Sequence, residues 1–134
     1  MAVKQVIVWR HDLKCRMGKK MAQSGHAALS HFSKLVVDHV DKDGNVSFQL
    51  TPAQFEWYLT NFRKIVCKVD SEADLMLLYL RCQEIGIPVE LVIDDGLTEW
   101  KEPTKTCIAI GPEKDEIIDQ VTGENGPLGK LSLL

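Results

Sequence analysis

The chain has 134 residues, of which 45% are hydrophobic and 26% charged, and a formal net charge of −3. This length suits one domain spanning 1–134 with a core of its own, and the composition is that of an ordinary soluble globular protein. An acidic balance argues against a general nucleic-acid coat, and no apolar run is long enough to span a bilayer. The N-terminus enters Val6-Ile7-Val8-Trp9 after a single lysine, too short and too β-like for a signal peptide. Cys15, Cys67, Cys82 and Cys107 form no C-x-x-C pair, so reduced cysteines in a cytoplasmic protein are expected, with no zinc site.

The elements follow from periodicity. Lys4–Arg10 is nearly continuous in apolar residues and reads as a strand buried on both faces. A loop, His11–Met17, leads to a helix from about Gly18 to Val40. Along that helix Met21, Gly25, Ala28, Leu29, Phe32, Leu35 and Val36 recur at helical spacing, which predicts the packed face. Lys19, Gln23, His26 and Ser30 fall on another line, within an arc of about 40–60°, facing away from it. Asp41–Leu50 reads as a polar turn and a short alternating stretch. Its Asp41-x-Asp43-x-Asn45 start is not a calcium loop, because Val46 stands where glycine is needed and Pro52 where the bidentate Glu should be.

Thr51-Pro52-Ala53-Gln54 starts a short helix to about Asn61, with Thr at the N-cap, Pro at N1 and Gln at N3. Lys64–Val69 is a second strand. Ser71-x-x-Asp74 caps a helix to Glu84, ended by Gly86-Ile87-Pro88. Val89–Ile93 is a third strand, Asp94-Asp95-Gly96 a turn, and Lys105–Ile110 a fourth strand. Gly111-Pro112-Glu113 is expected to open a last helix, ending near Gln120, and Lys130–Leu133 to add a short edge strand. Strands separated by helices predict an α/β fold on a mostly parallel sheet covered on both faces. The third and fourth strands, about eleven residues apart, leave antiparallel pairing or a non-helical crossover open.

Positive charge is gathered at one end. Residues 1–40 carry +5 and the rest −8. A basic patch on an acidic protein suits a polyanion touched at one place, such as a phosphate-bearing end of RNA, and suits solubility equally. Met17-Gly18-Lys19-Lys20 at a strand-to-helix junction fails as a nucleotide phosphate loop: Leu13 replaces the first Gly and Lys20 the Ser or Thr. What survives is helix N-terminal amides beside Lys19, a place for an anion. Asp94 and Asp95 lie just past the carboxyl end of a strand, where ligands bind in open α/β sheets, though an Asp-Gly turn explains them as well. No nucleophile elbow is present. Cys15 has Lys14 and Arg16 beside it, which would lower its pKa if the three converged.

Several of these motifs, taken in order, resemble one family. Asp12-Leu13-Lys14, Gly18-Lys19, Ala22-Gln23 and His26-Ala27-Ala28 resemble the signature of the type 2 peptidyl-tRNA hydrolases, the archaeal and eukaryotic kind. Asp94-x-Gly96-x-Thr98, Thr106 through Ile110-Gly111-Pro112, and Ile118-Asp119-Gln120-Val121-Thr122-Gly123 resemble its later motifs. The resemblance implies a three-layer α/β/α sandwich on a mixed four-stranded sheet. It implies hydrolysis of the ester joining a peptide to the ribose of tRNA, with no cofactor and no metal, and a tendency to dimerise. Carried over by motif, Lys19, Asp94 and Thr106 are the expected catalytic residues, with Gly18, Lys20, Gln23, His26 and Thr98 binding substrate. Asp94 could orient or deprotonate the water, Lys19 could neutralise the oxyanion or hold a phosphate, and Thr106 could position either. The sequence departs from the pattern at Asp95, usually small, and Leu97, usually arginine. Both changes reduce positive charge. A non-catalytic RNA-binding or regulatory protein, and a hydrolase of another small acyl ester or amide, stand as alternatives.

Overall fold

The computed structural model describes residues 1–134. The order is β1 (Val3–Arg10), α1 (Met17–His39), α2 (Pro52–Leu59), β2 (Lys64–Val69), α3 (Glu72–Ile85), β3 (Val89–Asp94), β4 (Thr104–Lys114) and α4 (Asp115–Thr122). The four strands form one mixed sheet in the order β2-β1-β4-β3. β1 and β2 pair in parallel, Ile7 opposite Val66. β4 runs against both neighbours, pairing Cys107 with Trp9 on one side and with Val92 on the other. β1, β2 and β3 thus point the same way, and their carboxyl ends share one edge of the sheet. The β3–β4 connection is antiparallel.

The alternation along β1 sorts the helices. Val6 and Val8 face a core completed by Ile108 and Ile110 of β4, Leu75, Leu78 and Cys82 of α3, and Ile118 and Val121 of α4. Ile7 and Trp9 face the other way, toward Ala27 of α1. Val3 points the same way as Ile7 and meets Ala53 and Trp57 of α2. Helices therefore cover both faces, α1 and α2 on one side and α3 and α4 on the other. No helix is long and apolar enough to cross a membrane.

The caps of α2 and α3 are those the sequence predicts. The Thr51 hydroxyl accepts from Gln54 N at 3.2 Å and the Gln54 amide oxygen accepts from Thr51 N at 2.9 Å, a reciprocal capping box. Because its oxygen is so committed, Gln54 turns its amide nitrogen outward and donates to His31 Nε2 at 2.9 Å, tying α2 to α1. Burial pushes the His31 pKa down, against Glu90, which draws it up. Gly86 ends α3 with φ +78°.

Four expectations are corrected. The sheet is mixed but not mostly parallel: only β1 and β2 pair in parallel, because β4 returns from β3 without a helical crossover and runs against both neighbours. Gly111-Pro112-Glu113 does not open a helix. These residues continue β4, whose pairing with β1 extends as far as Lys114 opposite Val3, and α4 starts only at Asp115. The last residues form no full strand, only a bridge from Leu133 to Cys67, with Lys68 N donating to the Ser132 carbonyl along the outer edge of β2. The largest correction concerns α1. Its one fully buried residue is Ala27, while Met21 and Leu29 of the apolar stripe are 68% and 60% exposed and Phe32 is also exposed. The small Ala27 lets the helix approach the sheet closely, and the polar line bearing Lys19 and Gln23 turns inward at the sheet edge.

Candidate active site

The carboxyl edge of the sheet meets the N-terminal turns of α1. Asp94 is the last residue of β3, Thr106 lies on β4 at the shift in register between Lys105 and Cys107, and of Lys19 and Gln23, one turn apart on α1, Lys19 reaches Asp94 and Gln23 reaches both. Lys19 Nζ lies 2.5 Å from Asp94 Oδ2, with side-chain exposures of only 17% and 7%. The same ammonium donates to Thr98 Oγ1 at 3.0 Å. Gln23 Nε2 donates to Asp94 Oδ2 at 3.3 Å, and Gln23 Oε1 accepts from Thr106 Oγ1 at 3.0 Å. The Thr106 hydroxyl also lies 3.3 Å from the Val92 carbonyl. The second Asp94 oxygen accepts from Gly96 N at 2.9 Å, closing the Asp-Gly turn.

Asp94 is therefore both turn residue and charge partner, so the two readings of the sequence hold together. The Lys19 hydrogen bond, with help from the Gly96 amide and against the effect of burial, holds its carboxyl below the ordinary carboxylate range. A carboxylate so stabilised is a poor proton acceptor near neutrality but a good anchor for a cation or a water. Behind it, Cys107 Sγ donates to the Gln23 carbonyl at 3.6 Å, seating the helix on β4, and burial pushes that thiol up to about 11. These features describe a compact, polar, partly desolvated cluster at the end of a rigid sheet.

The structure thus brings together Lys19, Gln23, Asp94, Thr98 and Thr106. It does not bring in the other expected residues. Gly18 is exposed in the first turn of α1, and Lys20, half-buried there, bonds to none of these residues. His26 is exposed one turn beyond Gln23 and lines a separate groove between α1 and β3, with Leu29, Lys34 and Glu90. That groove lies along α1 toward its carboxyl end rather than at the Lys19–Asp94 pair. Asp95 and Leu97 are exposed on the loop, Leu97 by 84%.

Two residues in the loop after Thr98 were not singled out from the sequence. Glu99 Oε2 accepts from Arg16 N at 2.9 Å and Glu99 Oε1 from Arg16 Nε at 2.8 Å. The anion at the α1 N-terminus is therefore the protein's own carboxylate, a cap supplied from another loop, since Arg16 makes no side-chain cap itself. Trp100 lies beneath Lys19, whose Nζ is 5.5 Å from the ring centroid. An irregular loop has no hydrophobic period, so only the adjacency of Glu99 and Trp100 to Thr98 could have marked them. The expectation for Cys15 is also reversed: burial first, then Glu99, raises its pKa, and the lysines only moderate this.

Known proteins resemble this chain over most of its length. The family Peptidyl-tRNA hydrolase PTH2 matches residues 3–125, from the first residue of β1 to just past α4. A peptidyl-tRNA hydrolase of Methanocaldococcus jannaschii is 38% identical over 121 residues, covering 90% of this chain and 96% of its own. One from Haloquadratum walsbyi is 40% identical over 121 residues, with coverage of 90% and 96%. One from Pyrobaculum aerophilum is 38% identical over 123 residues, with coverage of 92% and 95%. The matched span contains the whole sheet, all four helices and every residue of the Lys19–Asp94 cluster, and the chain belongs to the peptidyl-tRNA hydrolase PTH2 family.

Proposed function

We propose that this chain, acting as one domain over residues 1–134, hydrolyses the ester that joins a peptide or an N-blocked amino acid to the terminal ribose of tRNA. The observation that carries the reading is the Lys19–Asp94–Gln23–Thr106 cluster, held at the carboxyl edge of the sheet in a chain of this family.

Ester hydrolysis adds a water oxygen to the acyl carbon, forms an oxyanion, and then breaks the bond to the ribose oxygen, which takes up a proton. Asp94, with a depressed pKa, suits orienting the water more than full deprotonation. The Lys19 ammonium supplies positive charge to the oxyanion in a site shielded from solvent. Gln23 fixes the separation of Asp94 and Thr106, and the Thr106 hydroxyl aligns the acyl group or the water. These divisions of labour are part of the proposal.

The same reading includes a homodimer in the cytoplasm. α1 leaves Met17, Met21, Leu29 and Val37 exposed, apolar side chains of the kind that two copies bury against each other.

The deciding experiment incubates the purified protein with N-acetylaminoacyl-tRNA and follows release of free tRNA. Cleavage at low enzyme concentration is expected. Binding without cleavage would favour a non-catalytic RNA-binding protein, and cleavage of small acyl esters alone would favour a hydrolase of another class.

A further inference from the structure

The loop joining β3 to β4 is built more firmly than its irregular sequence suggests. Gly96, at φ +78°, packs so closely on Glu102 that a Cβ would lie 2.3 Å from the Glu102 carbonyl carbon. The Thr104 hydroxyl donates back to the Glu102 carbonyl at 2.9 Å. Glu99 holds Arg16 through two hydrogen bonds, and Thr98 holds Lys19. Between these anchors the loop carries Trp100, which is half-buried. It packs on the cluster of Ile7, Trp9, Ala27 and Cys107, with Lys19 Nζ over the ring, 5.5 Å from its centroid, and part of the residue in solvent.

No other aromatic side chain shares this position. Trp9 is completely buried beneath the site. Trp57, Tyr58 and Phe62 gather at the opposite edge of the sheet, where β2 begins. Phe32 is thirteen residues along α1 from Lys19, about 20 Å at the rise of an α-helix.

We propose that Trp100 is a substrate-binding residue: its indole is the stacking platform for the base of the tRNA's 3′-terminal nucleotide, the nucleotide whose ribose carries the ester. This rests on the peptidyl-tRNA reading above. The ester must lie at Lys19 and Asp94, and the base of the same nucleotide is its immediate neighbour. Base-on-aromatic stacking holds a nucleotide by its face without reading its hydrogen-bonding edge. It therefore suits an enzyme that meets every tRNA at a common end. It also supplies affinity near the reacting atoms on a protein whose net charge is −3 and whose loop offers Leu97 in place of a cation.

The test uses two short RNA oligonucleotides carrying an N-acetylaminoacyl ester, one ending in adenosine and one in an abasic ribose. For the wild-type protein, loss of the base should raise KM about tenfold and change kcat less than about twofold. In Trp100→Leu the difference in KM between the two substrates should shrink below about threefold, and Trp100→Phe should restore most of it. A Trp100→Leu protein that keeps the full difference overturns the proposal. A second measurement needs no variant. Trp9 and Trp57 are fully buried, so acrylamide quenching of the wild-type fluorescence reports on Trp100. The deacylated adenosine-ended oligonucleotide should protect against quenching and the abasic one should not; equal protection by both, or none, overturns the proposal. If the wild-type protein cleaves neither oligonucleotide nor intact peptidyl-tRNA, the functional reading itself has failed, and the stacking proposal falls with it.

Discussion

Gln23 stands between Asp94 and Thr106, giving its amide hydrogen to the first at 3.3 Å and receiving the hydroxyl of the second at 3.0 Å. One uncharged side chain on a helix thus sets the spacing of two strand residues from different strands. Gln23→Leu should lower kcat by about 10–100-fold through lost alignment, with a smaller effect on KM. Gln23→Glu should be worse, because it places a second carboxylate against Asp94. Steady-state kinetics on N-acetylaminoacyl-tRNA would check both.

Lys19 and Asp94 are the two charged members of the cluster. Lys19→Ala and Asp94→Ala should each reduce kcat by at least about 10²–10³ if charge near the oxyanion and an oriented water are both required. Circular dichroism should show the fold retained. Either variant also strands a poorly solvated partner, so a loss of about 1–3 kcal/mol in denaturant unfolding is expected. Full activity in either variant would remove that residue from the proposed mechanism.

Stability should fall with acid in two separable steps. His31 has a pKa lowered from 6.5, chiefly by burial, so the unfolded chain binds its proton more readily. Its contribution is present above pH 6.5 and declines as pH falls through the folded value. Asp94 is lowered from 3.8, chiefly by Lys19, so its contribution is present above pH 3.8 and is lost as pH falls through its folded value. Urea midpoints measured against pH should flatten below 6.5 in His31→Gln and below 3.8 in Asp94→Asn.

Gly96 is confined by both conformation and space. At φ +78°, with the Glu102 backbone where a Cβ would be, Gly96→Ala cannot be absorbed by a side-chain shift. The loop would have to move, carrying Thr98 away from Lys19 and Glu99 away from Arg16. A stability loss of about 1–3 kcal/mol and a larger proportional loss of activity are expected, read by thermal melts and kinetics together.

The exposed apolar residues of α1 predict an association that charge would disrupt. Leu29→Glu should convert a dimer to a monomer in sedimentation, because residue 29 is 60% exposed in the single chain and its replacement strains nothing within it. A wild-type protein that sediments as a monomer at micromolar concentration would withdraw the dimer.

Most elements were legible because each carries a local signal: the Thr51 capping box, the Gly86-Ile87-Pro88 stop and the unbroken apolar run of β1 all hold in the structure. The face of α1 was not. A hydrophobic stripe predicts burial only where water is the alternative on the other side. Here the inward line ends at a polar site, and close packing selects Ala27 rather than a large residue. The cluster was legible through motif resemblance for Lys19, Asp94 and Thr106, and the structure adds the bonds that join them. His26 lies on the same helical line as Gln23 but one turn too far along it to reach the sheet edge. Glu99 and Trp100 depend on how a nine-residue loop folds back over α1, which pairwise spacing does not encode.

The bridge from Leu133 to Cys67 has a consequence for handling the protein. An uncovered strand edge is a template on which further chains can add. With Lys68 and Val66 already bonded to the Ser132 carbonyl and the Leu134 amide, the β2 side is closed to such growth and only β3 remains open. Removing residues 131–134 should therefore leave the reactive cluster intact on the far side of the sheet and instead shorten the time a concentrated sample stays clear.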